Sequence, residues 1–415
     1  MSLRQVDPLV ATEIISFLNP LEVVKMECTN KEWFERIRNV WCILRKMPYL
    51  RHLTFKKHSV LTDKALCIQA WRAITSCRGI IYQIGGLTPV DFNGNSISVS
   101  TFAFNDNTTQ FFPYVFRSTP LYQEFLQELS ASATVVDSSG NVRTFGGWNC
   151  NEEESTDQCY VHDPLTGWLP FTRMKNKACF LAATCNIDGD ILVSGGGSSL
   201  FQGSSVAAES YLLRHSSGSS RCAVSDSLEV NDYTLSNFAW INMPQMNNPR
   251  CGHGAVTTLS GRSYSIGGYG GGSIYHSSGE YFDYESMKWV DIAPMNHNRS
   301  GLGVDMSSQG AVYAVGGSPN GLAGHNSVEM FDERVGKWQE VSHMLRRRGF
   351  VGACFGASGI LYAAGGMDNE MFIASVEWMD PRMNKWNYLC DEENIIFPFL
   401  ERADYQMVYV MGHFY

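Results

Sequence analysis

The sequence predicts a mainly β chain built from repeats, and three observations carry that prediction. Six pairs of adjacent glycines, each closing a short β-branched or aromatic run, lie between residues 85 and 366. The pairs that open at Gly267, Gly316 and Gly365 recur at 49-residue intervals. An acidic-aromatic turn and a tryptophan follow, as in EYFDYESMKW with Trp289, EMFDERVGKW with Trp338 and EWMDPRMNKW with Trp386. A fixed period of roughly 50 residues with a strand-then-glycine signature marks a repeat architecture.

The first 79 residues carry none of these signals and read as helical. Val6, Val10, Ile14 and Leu18 repeat every four residues, which sets them along one helix face. Asn19-Pro20 stops that helix, because proline cannot continue it. Thr29 and Glu32 form a capping-box pattern, and Trp33, Ile37, Val40, Trp41 and Leu44 follow at helical spacing. A further helix is expected within 49–79, with Leu66, Ala70, Trp71 and Ile74 on one side.

The repeats begin at Gly79-Ile80-Ile81, with pairs at Gly85-Gly86, Gly146-Gly147 and Gly195-Gly196 before the evenly spaced three. Trp168 closes a turn one residue shorter, Phe111 stands in the tryptophan place of the first repeat, and Trp240 serves the third. Each repeat reads as four short strands separated by turn residues. The first has no innermost strand before its glycine strand, and residues 402–410 match the strands that open the other repeats. They are therefore expected to close the array and remove an exposed edge. A Ser-rich insertion at 214–236 separates two outer strands, and Thr119-Pro120 opens a short acidic helix that runs to Leu129. Double glycines permit positive φ and close backbone approach, and GGYGGGS (267–273) precedes no helical pattern, so it is not a nucleotide loop.

Over residues 80–415 this pattern resembles the kelch repeat, and the resemblance implies a six-bladed β-propeller closed by the C-terminal strand 402–410. Residues 1–48 resemble the F-box in the order of their elements: an apolar-proline opening, a helix ending at Leu18, the Asn19-Pro20 break, a short helix with Val23, and a helix with Trp33. That resemblance implies docking of a Skp-family adaptor through Val10, Ile14, Leu18, Pro20, Val23 and Trp33. The alternative for the same residues is a three-helix cap packed on the ring. The fold class is thus a mainly β, six-bladed kelch propeller with a small N-terminal helical F-box-like module, joined by a helical linker over 49–79.

Alternating strand direction puts the loops before each innermost strand and the loops after each glycine pair on one face. Leu129, Lys177, Arg250, Arg299, Arg348 and Arg402 open the innermost strands, so four arginines and a lysine are expected to ring one mouth of the channel. Trp148, Tyr269, Ser318 and Met367 follow glycine pairs on that face. In kelch substrate receptors the matching positions contact the bound peptide. Guanidinium groups bind carboxylates and phosphates bidentately, so the expected target is a protein with an acidic or phosphorylated segment.

Composition narrows the classes. Lysine and arginine number 32 against 41 acids, a net charge of −9, which disfavours nucleic acid and anionic membrane as partners. Asp7, Pro8 and Glu13 break any secretory apolar segment, and no apolar run approaches transmembrane length. The 12 cysteines include no C-x-x-C pair and read as reduced thiols of a cytoplasmic or nuclear protein. No H-E-x-x-H or G-x-S-x-G motif occurs, and no cofactor is expected. The reading is a non-catalytic substrate receptor of a cullin-RING ubiquitin ligase. The alternatives are a kelch scaffold without a ubiquitin role, discriminated by adaptor co-purification, and a kelch copper oxidase, discriminated by metal analysis.

Overall fold

In the computed structural model, the described residues are 79–84, 101–105, 110–113, 129–138, 140–150, 152–163, 167–199, 205–215, 238–356, 358–390 and 406–411. The expected F-box-like residues 1–48 and the linker as far as residue 78 fall outside them, as do Arg402, residues 119–128 and most of the Ser-rich insertion.

Six four-stranded antiparallel sheets make up the described fold. The fourth sheet shows the pattern: Gly254–Thr257 is innermost, then Ser263–Ile266, Gly279–Asp283 and Lys288–Ile292. The innermost strands of sheets two to six are Ala133–Val136, Ala182–Cys185, Gly254–Thr257, Gly303–Met306 and Gly352–Phe355. In the first sheet the strand next to Gly79–Ile84 on its inner side is Gln406–Met411, with Ile81 opposite Tyr409. Gln406–Met411 also lies beside Ala133–Val136 on one flank and Gly352–Phe355 on the other, so the six inner strands neighbour one another in an unbroken cycle. This is a six-bladed β-propeller whose first blade joins the two ends of the described chain.

The core lies between blades rather than within them. Between blades three and four, Leu192, Leu212, Ile241, Met243 and Met246 pack against Phe282 and Trp289. Between blades five and six, Val315, Val328 and Met344 pack against Leu361, Met379 and Trp386. The tryptophans of blades four to six are wedges with a polar handle. Trp289 Nε1 donates to the Pro244 carbonyl at 2.9 Å, Trp338 to Ala293 at 3.0 Å and Trp386 to Ser342 at 2.9 Å, each acceptor belonging to the preceding blade. A buried indole N–H needs such a partner.

The glycine pairs are the joints between blades. Gly267 has φ 69°, and a Cβ there would lie 2.6 Å from the Arg299 carbonyl of the next blade. Gly268 N–H donates to that same carbonyl at 2.7 Å. Any side chain at Gly267 would force the two blades apart and strain the backbone.

Candidate functional site

The loops before the innermost strands and the loops after the glycine pairs do converge. Trp148 pairs with Ser130, Tyr269 with Cys251, Ser318 with Ser300 and Met367 with Gly349, in each case joining the post-glycine position to the start of its own blade's inner strand. Tyr269 and Met367 are half-buried there, whereas Trp148 and Ser318 are buried.

The arginines are a correction. Arg250, Arg299 and Arg348 were expected to face solvent at the mouth, and each is 0% exposed. Arg299 shows why. Its Nη1 donates to the carbonyls of Gly316 at 2.6 Å and Ser327 at 3.0 Å, and its Nη2 to Ser327 Oγ at 2.8 Å and Glu329 at 2.9 Å. Nε donates to Glu329 at 3.3 Å. Arg250 does the same with Gly267, Ser278 and Glu280, and Arg348 with Gly365, Ser375 and Glu377. The three partner glutamates are also 0% exposed. Burial pulls the guanidinium pKa of Arg250 and Arg299 down, opposed by the adjoining carboxylates. With five donors engaged in Arg299 and Arg348 and four in Arg250, none of these groups is presented to an incoming ligand; each fixes the glycine carbonyl against the third strand of its own blade.

Each glutamate also shapes the loop before its arginine. Glu280 accepts from the backbone N–H of Asn247 at 2.7 Å, and Glu329 accepts from Asn296 at 2.7 Å and His297 at 3.2 Å. The loop so held presents its own side chains instead. In blade six these are Arg346 and Arg347, both exposed. Sequence reasoning missed this division, although a signal existed. Ser278-Gly-Glu280, Ser327-Val-Glu329 and Ser375-Val-Glu377 repeat a Ser-x-Glu pattern in step with the arginines.

Lys177 is a second correction, of register. Gly196 N–H donates to Arg250 O, Gly268 to Arg299 O and Gly317 to Arg348 O, while Gly147 donates to Ala178 O. Ala178 therefore holds the arginine place in blade three, and Lys177 is the exposed residue before it, its Nζ 2.6 Å from Glu154.

The post-glycine loops of blades four to six each carry one exposed apolar side chain, as do other turns of the propeller at Leu259, Val335 and Met383. Ile274 is 56% exposed, Leu322 47% and Met371 72%, values that place them at the loop crests. The loops touch: Asn369 N–H donates to the Leu322 carbonyl at 3.0 Å, and Gly324 N–H to Asp368 at 2.8 Å. The Tyr275 hydroxyl lies against Gly321, so the wall continues into blade four. Below it, His276 and His325 each donate from Nε2 at 3.1 Å to the Pro249 and Asn298 carbonyls. Burial is the main cause lowering both histidines, with Arg250 and Arg299 adding to it. His325 falls to about 4, so it stays neutral in mild acid.

The ring encloses an axial cavity of about 370 Å³ lined by the inner strands. Asp305 lines it and bridges blades five and six by accepting from Phe355 N–H at 2.7 Å. Burial pushes its carboxyl up to about 6, against the two backbone N–H groups that favour the anion. The unfolded chain therefore ionises first as pH rises, and this group removes stability between about pH 4 and pH 6, a loss that persists above. We expect the stability difference of Asp305→Asn over the parent chain to grow by on the order of 3 kcal/mol from pH 4 to pH 7. Urea unfolding of both proteins at the two pH values checks this, and a constant difference would refute it. Among the described residues, no group of three or more His, Cys, Asp or Glu side chains could hold a metal ion. Burial raises the Cys185 and Cys251 thiols to about 12, so neither is a ready nucleophile.

The Kelch motif family matches residues 249–296 and 347–389, beginning one residue before Arg250 and Arg348, in two of the blades that carry the buried arginine. A solved structure described as "Structure of YjhT" shares the fold, with a TM-score of 0.50, 13% identity, 66% of this chain covered and 85% of that chain. No curated protein matches the chain. The chain thus carries Kelch motifs on a kelch-like β-propeller, a protein-interaction fold.

Proposed function

We propose that this chain is the substrate-recognition subunit of an SCF-type cullin-RING ubiquitin ligase. The propeller captures a target protein, the F-box-like residues 1–48 dock a Skp-family adaptor, and the chain itself catalyses nothing. It works in the cytoplasm or nucleus. The observation that carries the target-binding part is the wall of Ile274, Leu322 and Met371 with Arg346 and Arg347 on the same face. Exposed apolar side chains on touching loops, set beside charged ones, fit a protein-binding surface. The burial of Arg250, Arg299 and Arg348 moves the basic contribution on this face to the exposed Arg346 and Arg347.

The adaptor part rests on the apolar face of Val10, Ile14, Leu18, Pro20, Val23 and Trp33, more than so short a unit buries within itself. The full chain should co-purify with a Skp-family adaptor, and Leu18→Asp should abolish this while the propeller melts unchanged. If the parent chain captures no adaptor, the ligase reading fails and a scaffold takes its place.

A further inference from the structure

The blade-three counterpart of the buried arginine opens a cavity. Blades four to six fill the place with Arg250, Arg299 or Arg348 and close it with Ser-x-Glu. In blade three the corresponding residues are Ala178, Glu209 and Tyr211. Glu209 is aligned with Ser278 because its carbonyl accepts from Gly195 as that of Ser278 does from Gly267. Blade two lacks the arginine too, but there Leu129 and Tyr160 are buried and fill the space, with Tyr160 donating to Gln158 at 2.6 Å. Alanine leaves it open. A cavity of about 250 Å³ remains, lined by Ala178, Gly195, Glu209, Tyr211 and Met174, with Ser198 and Ser205 exposed at its rim on the glycine-loop face.

Its chemistry is that of an arginine cradle without the arginine. Gly195 is the counterpart of Gly267, Gly316 and Gly365, whose carbonyls each accept a guanidinium N–H. The Glu209 side chain has no hydrogen-bond or ion-pair partner among the described residues, and it raises the Tyr211 phenol after burial does. Tyr211 Oη accepts from Asn176 at 3.1 Å, leaving its own hydrogen to donate. The neighbouring cation, Lys177, is drawn outward to Glu154.

We propose that this cavity receives the guanidinium of an arginine side chain from the target, which supplies in trans the group that blades four to six carry in cis. The inference rests on the reading of the glycine-loop face as the target-binding face. The target then carries an arginine that reaches blade three while its apolar segment lies on blades four to six.

The test uses the full chain labelled with ¹³C-methyl methionine, with the Met174 resonance assigned through Met174→Leu, and Nα-acetyl-arginine methylamide as probe. Saturable movement of the Met174 signal is expected. The citrulline analogue, which is neutral, should bind about tenfold or more weakly, since a charge-assisted hydrogen bond is worth about one decade or more. Glu209→Gln should weaken arginine binding by a similar factor. Ala178→Arg with Tyr211→Glu rebuilds the internal arginine and should abolish binding. No saturable shift, equal binding of citrulline, or an unchanged titration in Glu209→Gln would each overturn the proposal, whether or not the double variant folds. Any of those results would leave adaptor co-purification standing, and loss of adaptor capture would leave this titration unaffected.

Discussion

Arg299→Ala is expected to destabilise the propeller by about 3–5 kcal/mol, the usual cost of removing one partner from a buried ion pair. The loss has three parts. Glu329 would keep its charge at 0% exposure with only the N–H groups of Asn296 and His297 to stabilise it. The carbonyls of Gly316 and Ser327 would each lose a donor. A cavity would open beside the glycine joint. Since whole domains are stable by only about 5–15 kcal/mol, most of the margin disappears. Arg299→Lys should also fail, because an ammonium is a point charge that cannot serve two carbonyls, a hydroxyl and a carboxylate in the fork geometry. Arg347→Ala, the same change of charge at an exposed position, should stay within about 0.5 kcal/mol. Chemical denaturation of the three variants decides the matter. If Arg299→Ala and Arg347→Ala unfold at the same denaturant concentration, the buried network is not structural.

That contrast shows how far the sequence could be read. Periodicity reports which positions are equivalent, and on that ground the glycine joints and the tryptophan wedges were legible as soon as the 49-residue interval was seen. It does not report which way an equivalent side chain points. Arg250, Arg299 and Arg348 recur because each answers a Ser-x-Glu on the third strand of its own blade, about 30 residues away, a pairing that shows only when both patterns are aligned together. Lys177 was misassigned for a related reason. Blade three has Ala178 where the arginine belongs, and the adjacent lysine imitates it when charge alone sets the alignment. The hydrogen bond from Gly147 to Ala178 corrects the register by geometry. The wall of Ile274, Leu322 and Met371 was not legible at all. These residues belong to post-glycine loops that differ in sequence, and only ring closure brings their crests together.

Ring closure is itself open to a severe test. Ending the chain at Glu401 removes Gln406–Met411, which pairs with all six residues of Gly79–Ile84. Three consequences add. The inner strand of blade one is lost, and Gly79–Ile84 becomes an edge able to pair with other chains. Met407, 8% exposed, leaves the cluster of Cys354, Tyr362, Ala364, Ala374 and Val376, at roughly 1.5–3 kcal/mol for the side chain alone. The axial cavity loses the wall to which Met407 contributes, so water reaches the flanks of Ala133–Val136 and Gly352–Phe355. Six ladder positions at about 1 kcal/mol per hydrogen bond bring the total to the scale of the whole folding free energy. The truncated chain should therefore aggregate, or melt far below the full chain, and protection from hydrogen exchange should be lost first in blades one, two and six. A synthetic peptide of residues 402–415 added during refolding should restore solubility and the lost protection, because it supplies the missing strand without its covalent link. Should the truncated chain melt as the full chain does, with blade one still protected, the strand contributes nothing to closure. Recovery by the peptide would show instead that the ring is held shut by that strand's pairing and packing.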